Sequence, residues 1–189
     1  MQKILTLALL VFISTSVRAQ LDKKTWLLGG AGNFNSNKYK LNGTPYKYSQ
    51  LDLSINAGYF VREKLATGLL TSLSVSRSNT AGGTDIDTYV NFTPSAFIRY
   101  YLLQSDRSWN LFTQGSFGYQ TTDASGTEGS SNATIYRISA GPEVFFNSSV
   151  GLEFSVGYQY LKNGSKSAAI PGVHSIFTSI GFQFHLEKD

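Results

Sequence analysis

Two carboxylates lie at positions that bring their negative charges close together. Glu143 and Glu153 lie on either side of Asn147–Ser149, a run of turn-forming residues. A tight turn there places the two glutamates opposite each other on paired strands. Two carboxylates at so short a distance repel each other unless a cation lies between them. The guanidinium of Arg99 or Arg137 can supply that cation. The sequence therefore predicts an ion network around the two glutamates.

The charged residues of this network share polar positions in segments where polar and apolar residues alternate. We expect five of them to meet inside a barrel and to plug its interior. The predicted network consists of Asp52, Arg99, Arg137, Glu143 and Glu153. The alternative is a set of separately hydrated charges in a water-filled lumen.

No residue pattern in the chain predicts an enzyme. The chain has no cysteine, so thiolate nucleophiles, thiolate metal ligands and disulfides are excluded. The glycines of Gly29–Gly32 belong to a strand with no helix after it, so they do not form a dinucleotide-binding loop. His174 shares its strand face with Ile176 and is expected to be an interface residue. We predict no catalytic residue, no metal site and no cofactor.

The elements that position these residues are strands, and the clearest is Val173–Leu186. Every second residue of this segment from His174 onward is largely apolar, a period of two over a length that suits a tilted strand crossing a bilayer. Seven earlier segments share the pattern, and connections predicted to be long alternate with short ones. The predicted strands are 25–35, 48–60, 65–77, 88–102, 109–122, 134–146, 150–161 and 173–186. This rhythm predicts an all-β protein, an eight-stranded antiparallel up-and-down transmembrane β-barrel.

The first residues predict an export signal. Lys3 precedes an apolar run over 4–13, and small residues follow. That run is shorter than the ~20 residues that a membrane-spanning helix needs. We therefore expect residues 1–19 to be a signal peptide and residues 20–189 to be one barrel domain. The net charge of residues 20–189 is small, and these residues contain no cluster of basic side chains. No nucleic-acid partner is therefore expected.

The composition favours a barrel whose apolar face points outward. Charged residues make up 15% of the chain and aromatic residues 14%, whereas a soluble domain has about 25% charged residues. The predicted polar faces carry Ser, Thr, Asn, Gln and Gly, which fit a narrow lumen. The alternative is a secreted, lipocalin-like soluble barrel that binds an apolar ligand inside.

Aromatic residues collect near the predicted strand ends, as in the two girdles of a membrane barrel. One set is predicted near the periplasmic rim: Tyr59, Phe60, Tyr100, Tyr101, Trp109, Phe145, Phe146 and Phe184. The other is predicted near the outer rim: Tyr48, Tyr89, Tyr119, Tyr136, Tyr158 and Tyr160.

The signal segment, the hairpin rhythm and the terminal strand together resemble the small OmpA/OmpX-like outer membrane β-barrel proteins, in the porin-family form common in Bacteroidota. The resemblance implies an outer membrane location, both termini in the periplasm, and contact with membrane lipid and lipopolysaccharide. It also implies that Val173–Leu186 is an address for the barrel assembly machinery, with Phe184 as its aromatic. Barrels of this size also include enzymes that modify lipid A, which use a histidine with a serine and an acid.

The function expected from these observations is non-enzymatic. The barrel serves as a scaffold with a plugged lumen, and specificity resides in the predicted extracellular loops, chiefly 36–47 and 123–133. The sequence identifies no extracellular partner. The alternatives are a lipid A-modifying enzyme and the soluble lipocalin-like barrel.

Overall fold

A computed structural model describes residues 21–41, 44–79, 86–105, 107–124, 131–164 and 172–187. The predicted signal peptide lies outside these residues. All eight elements of the described chain are strands. They are β1 (Trp26–Leu41), β2 (Thr44–Arg62), β3 (Leu65–Asn79), β4 (Ile86–Tyr101), β5 (Trp109–Ala124), β6 (Ser131–Phe145), β7 (Val150–Asn163) and β8 (Gly172–Leu186). In the described ranges, no helix is long and apolar enough to cross a membrane.

The strands form one closed barrel in chain order, with every neighbouring pair antiparallel. The predicted fold class, an eight-stranded antiparallel up-and-down barrel, is thereby confirmed. Successive residues alternate between the outside and the lumen, because side chains of a strand alternate in direction. In β2, for example, Leu53 and Ile55 are exposed while Ser54 and Asn56 are partly buried. The apolar faces point outward as predicted, whereas a lipocalin-like barrel would enclose them.

The strands extend further than the sequence pattern predicts. The predicted loop 36–47 is largely strand, since β1 and β2 pair as far as Leu41 and Thr44. The segments 78–87, 123–133 and 162–172 are likewise shortened by strand at both ends. Polar residues pair their backbones as well as apolar ones do, so the ladder continues past the point where the apolar pattern stops. The predicted alternation of long and short connections is therefore wrong in part: β1 and β2, predicted to have a long connection, are joined by two residues, and β4 and β5, predicted to have a short one, are joined by seven.

The two ends of the barrel differ in what they carry. Trp26 and Leu186 lie at one end, here called the terminal end, and Leu41 and Thr44 lie at the other, here called the far end. At the terminal end the segment before β1 is fixed to the barrel: Lys64 N–H donates to the Leu21 carbonyl at 2.9 Å.

The turn between β6 and β7 sets the register of that hairpin. Asn147 Oδ1 accepts hydrogen bonds from the N–H groups of Ser149 and Val150, both at 2.8 Å. An asparagine side chain that bonds the backbone ahead of it stabilises a tight reversal. The ladder that follows pairs Glu143 with Glu153, the register that the Asn147–Ser149 turn predicts.

The closing seam between β1 and β8 is paired along only part of its length. The ladder runs from Trp26–Leu186 to Gly32–Ile180. Beyond that point β1 continues to Leu41 paired with β2 alone, and β8 continues to Gly172 paired with β7 alone. At the far end of the described chain the seam therefore has no backbone ladder.

Candidate functional site

The lumen at the terminal end is filled by large side chains. Leu21, Leu27, Phe60, Phe112 and Phe145 are at most 4% exposed and form one cluster. A barrel of eight strands is narrow enough to be filled by its own side chains. Water is therefore displaced from this part of the lumen.

Arg99 is a buried cation in this cluster, and it has a carboxylate partner. Its Nη1 lies 2.8 Å from Glu153 Oε2, with both side chains at most 5% exposed. Its Nε donates to Gln114 Oε1 at 2.8 Å, and its guanidinium carbon lies 4.3 Å from the Phe112 ring centroid. The cation is thus matched by a charge, a hydrogen bond and an aromatic face, which together offset its desolvation.

Glu143 faces Glu153 across the ladder but has its own donors. The Tyr101 hydroxyl donates to Glu143 Oε2 at 2.7 Å, and His185 Nε2 lies 2.8 Å from Oε1. His185 is fully buried, and its Nδ1 has no hydrogen-bond partner among the described residues. A proton on Nε2 satisfies this arrangement, because Nδ1 then carries no buried donor. Gly151 makes room for the carboxylate: a Cβ there would lie 2.2 Å from Glu143 Oε1.

Together these side chains form a continuous layer, here called the lumen plug. Its members are Leu21, Leu27, Phe60, Arg99, Tyr101, Phe112, Glu143, Phe145, Glu153 and His185. Each of the two paired carboxylates has its own hydrogen-bond partners, and the charge of Arg99 acts on both of them, so their repulsion is reduced. Arg99 rather than Arg137 supplies the ion pair. The arrangement fills the lumen at the terminal end.

Asp52 and Arg137 lie apart from the lumen plug, nearer the far end. Arg137 Nε donates to Gln159 Oε1 at 3.1 Å and its Nη1 donates to Ser72 Oγ at 3.2 Å. Asp52 accepts from the Gln50 amide at 2.8 and 3.1 Å. No salt bridge joins Arg137 to a described carboxylate. The five predicted network residues therefore divide into two groups at different depths.

A polar cavity of about 640 Å³ lies between the lumen plug and the far end. Arg99, Phe112 and Glu153 form its floor, and Asp52 and Arg137 lie on its wall. Most of the remaining wall consists of amide and hydroxyl side chains of the eight strands. Two of these strands are β1 and β8, on either side of the partly paired seam.

Ten of the fourteen predicted girdle residues lie on the outer surface. Eight of them are 39–51% exposed: Tyr89, Tyr100, Trp109, Tyr119, Tyr136, Phe146, Tyr158 and Phe184. Tyr59 and Tyr160 are half-buried against aromatic neighbours, Tyr59 with Trp26 at 5.2 Å and Tyr160 with His174 at 4.6 Å between ring centroids. Tyr89, Tyr119, Tyr136, Tyr158 and Tyr160 lie toward the far end, and the others lie toward the terminal end.

Four rings predicted at the rims point into the lumen instead. Phe60, Tyr101 and Phe145 are buried in the lumen plug, and the Tyr48 hydroxyl donates to Gln50 inside the barrel. Three of them directly adjoin a ring that faces outward, and adjacent residues of a strand cannot face the same side. The doublet pattern was the signal that these rings belong inside.

His174 lies on the outer surface near the far end, as predicted. Its ring stacks on Tyr160, and its Nδ1 is hydrogen-bonded to the Tyr158 hydroxyl. His174 thus contacts two tyrosines, neither of which activates a nucleophile. Tyr101 and His185 are the site residues that sequence reasoning missed as partners of Glu143.

Comparison with known proteins places the chain in a family. A family model for the outer membrane protein β-barrel domain matches residues 5–184. No curated protein matches the chain. Among solved structures, the outer membrane protein OprG from Pseudomonas aeruginosa has a TM-score of 0.54 and 13% identity, covering 90% of this chain and 100% of that one.

Two further solved structures share the barrel. Neisserial surface protein A has a TM-score of 0.54 and 13% identity, with coverage of 85% of this chain and 96% of that one. The outer membrane enzyme PagL has 16% identity, covers 86% of this chain and 99% of that one, and has a TM-score of 0.43, too low to bear on activity. The chain belongs to the outer membrane protein β-barrel domain family and is an eight-stranded barrel of the outer membrane.

Proposed function

We propose that this chain is a non-enzymatic outer membrane protein that is closed to solutes and acts at the cell surface through its far-end connections. The observation that carries this proposal is the lumen plug, in which Arg99, Glu143, Glu153 and His185 are all at most 4% exposed. Passage through a lumen filled in this way would require breaking the Arg99–Glu153 ion pair inside a low-dielectric layer, which is costly.

The orientation proposed for the barrel has the terminal end in the periplasm. Both chain ends then lie there after removal of residues 1–19, and Val173–Leu186 contacts the barrel assembly machinery during insertion. The outer surface contacts membrane lipid and lipopolysaccharide. The apolar residues exposed on that surface, such as Ile55 at 69% and Leu69 at 70%, support this lipid contact because water would disfavour them.

The conductance of the purified protein tests whether the lumen plug seals the barrel. We expect wild-type protein in a planar lipid bilayer to give no single-channel current steps, because the plug excludes water. Tyr101→Ala removes a fully buried ring that contacts both Glu143 and Phe60, and Phe60→Ala removes its neighbour. We expect steps from these variants and none from Asn91→Ala, which changes only the cavity wall. Uniform steps from the wild-type barrel would contradict a sealed lumen.

Epitope accessibility on intact cells tests the orientation. A tag inserted at 127–128, between β5 and β6, is expected to be labelled by antibody on intact cells, since the far end faces outward. The matched control is a tag inserted at 105–106, between β4 and β5 at the terminal end, which should be labelled only after the outer membrane is permeabilised. The opposite labelling pattern would show that the barrel is inverted.

A further inference from the structure

The unpaired part of the β1–β8 seam lies beside the apolar surface. Past the last ladder pair, Gly32–Ile180, the first outward-facing apolar side chains are Phe34 on β1 and Ile176 on β8. They are 68% and 78% exposed, among the most exposed apolar side chains described. His174, in the outer aromatic band, follows Ile176 on the same face. The opening therefore begins within the lipid-facing band and does not lie wholly in water.

At that depth, the unpaired backbone groups of the seam need hydrogen-bond partners from a bound molecule or from water. Backbone N–H and C=O groups that face hydrocarbon without a partner cost several kcal/mol each, by order of magnitude. Strand edges that lack a ladder inside a membrane are tolerated where they line a polar cavity. The cavity of about 640 Å³ meets this condition, because its lining includes Asn33, Phe34, Ser175, Ile176 and Phe177. The lumen cavity and the lipid-facing seam are one continuous opening.

This opening combines two chemistries. Its outer rim consists of the apolar side chains of Phe34 and Ile176, which face the acyl chains of the bilayer. Its interior is lined by amides and hydroxyls, and its lower end is closed by the lumen plug. A molecule that fits both parts is an amphiphile with one apolar chain and a compact polar head. A wholly polar solute would leave the apolar rim in contact with water. A wholly apolar solute would leave the amide side chains of the cavity wall without hydrogen-bond partners.

Arg137 indicates the charge of the head group. Its Nε and Nη1 are used by Gln159 and Ser72, both neutral, and no described carboxylate forms a salt bridge with it. A guanidinium presents five N–H donors in a fork that suits a carboxylate. Asp52 shares the cavity wall and acts on Arg137 electrostatically from beyond salt-bridge distance, while both of its oxygens accept from the Gln50 amide. Direct contact with the guanidinium is therefore left to the bound head group.

We propose that the seam and cavity form a binding site for a long-chain carboxylate, with the chain between Phe34 and Ile176 and the carboxylate at Arg137. The lumen plug makes this site a blind pocket entered from the outer leaflet. Binding needs the seam and the cavity but not a tight plug, so the conductance test and the binding test can fail independently.

The binding test uses the full-length mature protein in micelles of a non-ionic detergent, with [1-13C]palmitate as the probe. The carboxyl signal of bound palmitate separates saturable binding from partition into micelles. Hexadecanol, which has the same chain and no charge, is the competitor. Arg137→Gln removes the cation, and Arg77→Gln, which changes an exposed arginine outside the cavity, is the matched control. Each variant is first checked for a folded barrel by its gel mobility without boiling.

A reversible cross-link tests the seam separately. The chain has no cysteine, so Asn35→Cys with Phe177→Cys introduces a single pair between the levels of Phe34 and Ile176, on the register that ends at Gly32–Ile180. Its disulfide requires Cα atoms about 4.4–6.8 Å apart and so holds the seam closed. The control pair, Leu73→Cys with Phe92→Cys, cross-links the fully paired β3–β4 ladder.

We expect saturable palmitate binding to the wild type, weakened at least about tenfold in Arg137→Gln, as loss of a charge-assisted hydrogen bond predicts. Arg77→Gln and the control cross-link should leave it unchanged. The seam cross-link should abolish it, and reduction should restore it. Unsaturable partition, equal competition by hexadecanol, or unchanged affinity in Arg137→Gln would each overturn the proposal. If the seam disulfide does not form, the Arg137 comparison still decides.

Discussion

Replacing Arg99 with methionine is expected to lower the free energy of unfolding by about 3–5 kcal/mol. The side chain of Glu153 is 5% exposed, and Arg99 at 2.8 Å is its only salt-bridge partner among the described residues. Removing the guanidinium leaves a desolvated carboxylate without a counter-charge. Methionine keeps much of the packing against Phe112, so the loss reports mainly on the charge.

Urea unfolding in lipid vesicles, followed by the fluorescence of Trp26 and Trp109, measures this loss. Arg77→Met is the control, because an exposed arginine should change stability by no more than about 0.5 kcal/mol. The double variant Arg99→Met with Glu153→Met should recover most of the stability, since a matched apolar pair commonly replaces a buried ion pair without loss. A single variant as stable as the wild type would show that Glu153 is hydrated.

Replacing Ile55 with arginine is expected to lower the free energy of unfolding by about 2–4 kcal/mol. Ile55 is 69% exposed and lies four positions from Tyr59, about 13 Å along the strand at ~3.3 Å per residue. That places its side chain near the middle of an apolar band about 25 Å tall. A cation there must leave water or distort the bilayer.

The same vesicle unfolding measurement applies to Ile55→Arg, and Leu102→Arg is its matched control. Leu102 is 53% exposed but lies beyond the end of β4 at the terminal end, so an arginine there should cost about 0–1 kcal/mol. Equal losses at the two positions would mean that Ile55 does not face hydrocarbon.

The strand order could be predicted from the sequence because successive strands are joined as hairpins, and the facing of each strand because side chains alternate with a period of two. The pairing of Glu143 with Glu153 could be predicted as well, because Asn147 fixes the turn by its own side chain. These features depend on residues close together in the chain. Strand ends could not be predicted to the residue, since the polar ends of hairpins pair without any apolar signal.

The division of the predicted ion network could not be predicted because it depends on depth along the lumen. Arg99 and Arg137 both occupy polar positions, and only the barrel's register brings Arg99 to Glu153 and leaves Arg137 with Ser72 and Gln159. The contact of His185 with Glu143 joins strands that are far apart in the chain. By contrast, the inward rings of Phe60 and Tyr101 were predictable from their outward-facing neighbours.

The lumen plug couples the last step of barrel assembly to all earlier ones. Its side chains come from the segment before β1 and from strands as late as β8: Leu21 lies at one extreme and His185 at the other. An insertion intermediate that lacks β8 therefore leaves Glu143 without one of its two donors and leaves the lumen accessible to water. We therefore expect the lumen plug to be completed only when β8 closes the barrel, so that a partly assembled barrel has a hydrated interior and the finished one does not.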